Sequence, residues 1–111
     1  MIPTFARANR GCAATIALDA AREHERAARI PEAMEEFAAA IAHAESARDP
    51  VTIADAARRL AVLHQQRGDP AEARRLCAQS HEVASGAGLR KLAAEALNTM
   101  GVIRIDRKSV V

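Results

Sequence analysis

The chain has 111 residues and a formal net charge of +2; half of its residues are hydrophobic, but only 2% are aromatic. Alanine is the most abundant residue and the strongest helix former, so the composition favours closely packed helices over a sheet, which would use β-branched and aromatic residues. The charges are mixed along the chain, which argues against a nucleic-acid-binding surface, and no apolar run reaches the length of a membrane span.

The N-terminal residues and the cysteines bear on the cellular compartment. Arg7 and Arg10 interrupt any apolar core of the kind that a secretory signal peptide needs. Cys12 and Cys77 lie far apart in two predicted helices, and such a pair does not make a disulfide framework, so we expect reduced thiols. These features together predict a cytoplasmic protein.

The first half of the chain predicts an irregular start, two helices and the beginning of a third. Residues 1–11 carry no clear hydrophobic period and are expected to fray. Apolar residues then recur at three- and four-residue spacings, which predicts a first helix over 12–29 and a second that opens at Pro31. The second helix ends at Asp49-Pro50, because the residue before a proline avoids the helical conformation, and Thr52 is the expected cap of the third helix.

The turn Gly68-Asp69-Pro70 joins the third helix to a fourth that runs to about residue 85. Gly68 accepts a left-handed backbone at a helix C-terminus. Asp69 can accept hydrogen bonds from the free N–H groups of the next helix, and Pro70 suits the first helical position. Because the turn is short, we expect the two helices to pack antiparallel as a hairpin.

An internal repeat relates these helices. Laying Ala33 on Ala73 sets an offset of 40 residues, and the same offset lays Ala21 on Ala61 and Ala61 on Gly101. Three segments that share one period are typical of a helical solenoid, in which each helix pair buries its apolar face against its neighbours.

The residues around the turn also resemble a known family. Leu60-Ala61 followed by Gly68-Asp69-Pro70-Ala71-Glu72-Ala73 resembles a tetratricopeptide repeat, and Ala96-Leu97-Asn98-Thr99-Met100-Gly101 is similar to the opening of the long-period variant common in large bacterial regulators. The resemblance covers roughly 13–105. It implies an all-α fold, an antiparallel helix-hairpin solenoid with two helix pairs and one unpaired C-terminal helix, in which the small residues Ala61 and Gly101 lie at close helix contacts.

The C-terminal part departs from this pattern. A fifth helix is predicted over 89–105, and residues 106–111 then stand where a turn and a further helix belong. Those six residues match what a common sequencing-library adapter encodes, so we interpret 106–111 as a non-native tail and 12–105 as a fragment of a longer repeat array. Within the repeat, Ser80 replaces the alanine that is usual in the family.

The histidines and cysteines do not form a recognisable catalytic or metal site. A zinc site needs about four ligands in clusters, whereas Cys77 and His81 are only two groups one helical turn apart. His24 and His64 occupy equivalent repeat positions, which packing explains. Carboxylates such as Glu35 are interpreted as solvated helix faces. We therefore expect no enzyme activity, no cofactor and no metal.

The resemblance implies a binding groove. In the family, the first helix of each pair lines a concave face that binds an extended peptide or a protein partner. Carried over by the repeat match, the partner-binding residues are Arg22, Arg26, Arg58, Arg59, Gln65 and Asn98. Guanidinium groups pair with carboxylates through their fork geometry, which favours an acidic partner, and an amide side chain can bond a peptide backbone. That each is an ordinary polar surface residue remains the alternative.

Two functions are consistent with this sequence. The first is a scaffold module for protein–protein interaction, with no catalysis of its own. The second is the sensor or oligomerisation arm of a multidomain bacterial transcriptional or signalling regulator whose effector domain is missing. A phosphate-binding loop or a helix-turn-helix upstream in the full gene would favour the second. In either case the fifth helix exposes apolar residues, and we expect the chain either to self-associate through this end or to fray there.

Overall fold

The computed structural model describes the backbone of residues 2–110 and the side chains of residues 13–103. The helices are α1 (Ile2–Arg26), α2 (Ile30–Ala47), α3 (Pro50–Gln66), α4 (Pro70–Gly86) and α5 (Arg90–Val110). The predicted all-α class is thereby confirmed, and residues 2–110 contain no strand. Among the described residues, no helix has both the length and the apolarity that crossing a bilayer requires.

Two helices extend beyond their predicted limits. α1 begins at Ile2 instead of Cys12, and α5 continues to Val110. Pro3 falls in the first turn of α1, where a missing N–H costs nothing, and one internal glycine at Gly11 lowers helix stability by only about 1 kcal/mol. The absence of a hydrophobic period therefore did not mark a helix boundary. The side chains of residues 1–11 and 106–111 lie outside the described residues. The expected fraying of 1–11 and the interpretation of 106–111 as a non-native tail therefore stay predictions.

Aspartates cap the starts of α3 and α4. Oδ1 of Asp49 accepts a hydrogen bond from the backbone N–H of Thr52, and Oδ1 of Asp69 accepts one from the N–H of Glu72, both at 3.3 Å. The prediction of Thr52 as the α3 cap is therefore wrong: its hydroxyl donates to Oδ2 of Asp49 at 2.6 Å from inside the helix. Asp49-Pro50 ends α2 but also starts α3, with the same chemistry as the Asp69 turn.

The first four helices end in the same way. A residue with a left-handed backbone follows each of these helices, two positions after the last residue of α1, α3 and α4 and one position after that of α2. Its φ is 63° at Ala28, 55° at Arg48, 85° at Gly68 and 73° at Gly88. The following N–H donates to the carbonyl five residues earlier, as from Asp69 to His64 at 2.9 Å. This bond satisfies a carbonyl that the helix end leaves free. Glycine adopts this conformation without a Cβ clash, whereas Ala28 and Arg48 adopt it at a cost of about 1–2 kcal/mol each.

The helix limits repeat at the spacing found in the sequence. Three pairs of limits are separated by 40 residues: the ends Arg26 and Gln66, the starts Ile30 and Pro70, and the starts Pro50 and Arg90. The left-handed residues Ala28 and Gly68 follow the same spacing. The two hairpin turns thus lie near Arg29 and Gly68, as the sequence predicts, although α1 ends at Arg26, three residues before the predicted end of the first helix.

Small side chains let the helices pack closely. Stripes of alanine at most 6% exposed run along α1 (Ala14, Ala17, Ala21) and α3 (Ala54, Ala57, Ala61). Phe37, Leu63 and Ile103 are the largest fully buried side chains among the described residues. Consecutive helices contact one another, and α3 also contacts both other odd-numbered helices, α1 and α5.

Gly101 does not occupy the close contact that its match to Ala61 predicts. Ala61 is fully buried, but a Cβ placed on Gly101 would meet no atom within 4 Å in the described structure. The difference lies in what covers each helix. α4 lies against this side of α3, where the Ser80 hydroxyl bonds the Ala54 carbonyl, and no described helix lies on the corresponding side of α5.

Candidate functional site

Two of the predicted partner-binding residues lie in a charged cluster between α3 and α5. On α3, NH2 of Arg58 is 3.5 Å and Nε of Arg59 is 3.1 Å from Oδ1 of Asp55. Nε of Arg58 also lies 3.8 Å from Oε1 of Glu95 on α5. Spacings of three and four residues place the α3 groups on one helix face, so two cations and two carboxylates form a balanced group. We refer to these four residues as the charge cluster.

Arg58 is not fully satisfied within the charge cluster. Its side chain is 21% exposed, yet its Nε is buried and has no hydrogen-bond acceptor among the described residues. The 3.8 Å separation from Glu95 is an ion pair, but it is too long for a hydrogen bond. The Arg58 guanidinium therefore has one buried N–H donor without an acceptor among the described residues, while part of the side chain is exposed at the surface.

The other predicted groove residues are less constrained. Arg26 pairs with Glu23 at 3.1 Å, but both side chains are 67% exposed, and such surface pairs contribute little stability. Arg22 and Gln65 are half-buried, and Asn98 is exposed. No hydrogen bond or ion pair among the described residues joins Arg22 or Asn98 to the charge cluster. The structure thus brings Arg58 and Arg59 together and leaves the α1 residues apart from them.

A cleft of about 520 Å³ lies between α2 and α4, and sequence reasoning did not find it. It is lined by Met34, Glu35, Ala38, Ile41, Glu45, Leu60, His64, Glu72, Arg75, Leu76 and Gln79. Ile41, Leu60 and Leu76 are buried apolar side chains of its wall. Leu60 is two residues from Arg58, which is about 200° around α3, so the cleft and the charge cluster lie on opposite sides of that helix.

The polar lining of this α2–α4 cleft has a negative excess. Nε and NH2 of Arg75 donate to the two carboxylate oxygens of Glu72 at 2.9 and 2.6 Å, which neutralises both groups. Those hydrogen bonds hold the pKa of the Glu72 carboxyl below its ordinary value. Glu45 accepts a hydrogen bond from the Gln79 amide at 3.4 Å, and Glu35 has no ion pair among the described residues. Two uncompensated carboxylates therefore remain on α2.

The sequence held one signal for this cleft. α2 carries Glu32, Glu35, Glu36 and Glu45 and no lysine or arginine, in a chain whose net charge is positive. The interpretation of each glutamate as a separate solvated surface residue overlooks the fact that the negative charges are concentrated on α2. The apolar wall was beyond sequence reasoning, because Ile41 and Leu76 each satisfied the helical period of a buried core face.

The histidines at equivalent repeat positions contact the equivalent turn residues. Nδ1 of His24 accepts a hydrogen bond from Nε of Arg29 at 2.9 Å, and Nδ1 of His64 lies 3.9 Å from Oδ2 of Asp69. The described residues contain no group of three or more histidine, cysteine, aspartate or glutamate side chains placed to hold a metal ion. Cys77 is buried, and burial raises the pKa of its thiol, which keeps the thiolate population low.

Comparison of the chain with protein-family models, with curated proteins and with solved structures finds no match. Two surfaces of the described structure hold the candidate sites. One carries the charge cluster, where α3 meets α5, and the other is the α2–α4 cleft.

Proposed function

We propose that the chain is a protein-interaction module, built as a tetratricopeptide-like solenoid of helix hairpins and without catalysis of its own. In this architecture α1 pairs with α2, α3 pairs with α4, and α5 opens a third pair. The partner, a peptide or a protein segment, lies along the odd-numbered helices. No cofactor takes part.

The observation that carries this proposal is the 40-residue repetition combined with the contacts between odd-numbered helices. Equivalent helix limits and equivalent left-handed turns are what stacked copies of one hairpin require. The contacts of α3 with both α1 and α5 support a surface that runs across the odd-numbered helices. In stacked hairpins such a surface is long enough to bind an extended chain.

The chemistry of this surface favours an acidic partner. Arg22 has no ion pair among the described residues, and Arg58 keeps an unsatisfied Nε donor beside a 3.8 Å contact to Glu95. Part of the Arg58 side chain is exposed, and a partner carboxylate that binds the exposed part of its guanidinium would add a charge-assisted hydrogen bond to the long Glu95 contact. The amides of Gln65 and Asn98 supply groups that bond a peptide backbone.

The test begins with selection of short peptides from an unbiased displayed library on the immobilised chain. We expect the enriched peptides to be acidic, and we expect Arg22→Ala and Arg58→Ala to weaken their binding and its salt dependence. Arg67→Ala is the matched control, since Arg67 is an exposed arginine of the turn between α3 and α4. Unchanged affinity in both groove variants, or enrichment without acidic residues, would refute this assignment of the surface.

A second candidate function is the sensor or oligomerisation arm of a multidomain regulator. It is favoured by Leu97, which is 53% exposed on α5 although its equivalents Ala17 and Ala57 are buried. An exposed apolar residue at a position that is otherwise covered is an association surface. A nucleotide-binding or DNA-binding domain encoded in the same gene would favour this candidate over a stand-alone scaffold.

A further inference from the structure

The α2–α4 cleft lies on a different surface from the proposed groove and has the opposite charge. Its walls are apolar where they are buried, at Ile41, Leu60 and Leu76, and its α2 lip is acidic and exposed, at Glu35 and Glu45. We propose that this cleft is a second interaction site, which binds a basic amphipathic protein segment with its large apolar side chains in the cleft.

The dimensions fit a short segment of chain. The α2 part of the lining runs from Met34 to Glu45, twelve residues of helix that span about 16 Å. The volume of about 520 Å³ falls in the range of ordinary ligand sites, roughly 300–1,000 Å³. A helix of two to three turns would cover this length and would place apolar side chains at three- and four-residue spacings along the cleft.

The charges determine which segment fits. The lining holds three carboxylates and one guanidinium, and the guanidinium of Arg75 is already bound in bidentate form by Glu72. Glu35 and Glu45 are thus left to face a partner, and α2 contains no lysine or arginine that would compensate them. Lysine or arginine flanking an apolar anchor is complementary to this lip, whereas an acidic segment would be repelled.

His64 and Gln79 add polar groups to the cleft wall. Gln79 already donates to Glu45 across the cleft, so it holds the α2 and α4 lips together at one point. His64 lies beside the start of α4, 3.9 Å from Asp69. The walls come from three different helices, and α3 contacts both α2 and α4, so the cleft is formed by the packed core and not by a loop.

The experiment uses a fluorescein-labelled amphipathic peptide of leucine and lysine, long enough for about three helical turns. Two twins accompany it, one with glutamate in place of each lysine and one with serine in place of each leucine. Fluorescence anisotropy with the full chain should show that the basic peptide binds and that neither the glutamate twin nor the serine twin binds. Binding by the acidic twin, equal binding by the serine twin, or no binding by the basic peptide would overturn the proposal.

Two double variants locate the site. Glu35→Lys with Glu45→Lys reverses the charge of the cleft lip and should weaken binding of the basic peptide by at least about tenfold. Glu32→Lys with Glu82→Lys makes the same change of net charge at exposed positions of α2 and α4 outside the cleft lining, and it should leave affinity within about twofold. Equal losses in both variants would mean non-specific attraction.

Two further measurements keep the result interpretable. Circular dichroism melts of both double variants should match the parent chain, because all four glutamates are exposed. Sedimentation over a concentration range tests a second copy of this slightly basic chain as the occupant. Concentration-dependent association that disappears in Glu35→Lys with Glu45→Lys would assign the cleft to self-contact and overturn the partner proposal. Arg22→Ala and Arg58→Ala should not change peptide binding here, which separates this site from the proposed groove.

Discussion

The buried hydroxyl of Ser80 on α4 donates a 2.7 Å hydrogen bond to the backbone carbonyl of Ala54 on α3. Ser80 is fully buried, and an alanine, which stands at the equivalent position Ala40, could not make this bond. We expect Ser80→Ala to lower the free energy of unfolding by about 1 kcal/mol, because the carbonyl keeps its own helical hydrogen bond and only the cross-helix bond is lost. Urea denaturation measures the change, with Ser46→Ala on the exposed side of α2 as the control. Equal stability of Ser80→Ala and the parent would show that the bond contributes nothing net.

The turns give a prediction that compares equivalent positions. Ala28 and Gly68 both have a left-handed backbone, with φ of 63° and 85°. Ala28→Gly should raise stability by about 1 kcal/mol, because it removes the Cβ clash, and Gly68→Ala should lower it by about 1–2 kcal/mol. Space does not limit the second change, since a Cβ on Gly68 meets no described atom within 4 Å. Thermal melts that moved both variants in the same direction would contradict this account.

The fold was predictable from the sequence wherever a residue type favours one kind of local structure, such as a helix end or a helix start. Gly68 followed by Asp69 and a proline marked a helix end and a helix start in three residues, and the structure has both there. Asp49 followed by Pro50 carries the same signal, but the rule that a helix ends before a proline already accounts for this pair, so the sequence predicts Thr52 as the cap instead of Asp49. The start at Ile2 left no signal, because helix continuation needs no hydrophobic period.

The candidate sites were predictable only in part, because they depend on which helices meet. Arg58 and Arg59 could be placed on one face from spacing, but their balance by Glu95 required knowing that α3 contacts α5. Prediction of the cleft required still more information about packing, namely that Leu60 of α3 lies between α2 and α4. No periodicity in a single helix contains that information.

Gly101 and Ala61 occupy equivalent repeat positions, but they respond differently to added volume. Gly101→Ala should raise stability by about 0.5–1 kcal/mol, because a Cβ there meets no described atom within 4 Å and alanine is the better helix former. Ala61→Leu should lower stability by about 1–3 kcal/mol, because Ala61 is fully buried between packed helices. Denaturant midpoints of the two variants test the contrast, and a tolerated Ala61→Leu would contradict the assigned register.

The Glu72–Arg75 pair gives a pH dependence of known sign. The pKa of Glu72 is lowered in the folded chain, so its contribution to stability is complete above the ordinary glutamate pKa and is lost as the pH falls through the lowered value. Because the pair is largely exposed, the effect on stability is small. Carboxyl-carbon NMR titration is the sensitive measurement: Arg75→Gln should raise the apparent pKa of Glu72. An unchanged titration would mean that the two hydrogen bonds do not persist in solution.

α5 exposes a stripe whose equivalents elsewhere are covered. Ala94, Leu97 and Gly101 correspond to Ala54, Ala57 and Ala61, and the α3 residues are fully buried because α4 packs over them. On α5, Ala94 is exposed and Leu97 is 53% exposed. Leucine in place of alanine adds apolar area at the position where the covering helix would lie, so the stripe favours association more than a scattered surface leucine does.

We therefore expect the chain to self-associate through α5. Leu97→Asn should shift sedimentation towards the monomer at concentrations where the parent chain associates, because it removes the largest exposed apolar side chain of the stripe. Ile16→Asn is the matched control, since Ile16 is also an exposed apolar residue, at 67%, but lies on α1 and therefore outside the α5 stripe. If both variants reduce association equally, the contact joins α1 of one copy to α5 of another. If neither does, and hydrogen exchange of α5 is as slow as that of α3, the stripe is stable in water and the association prediction is wrong.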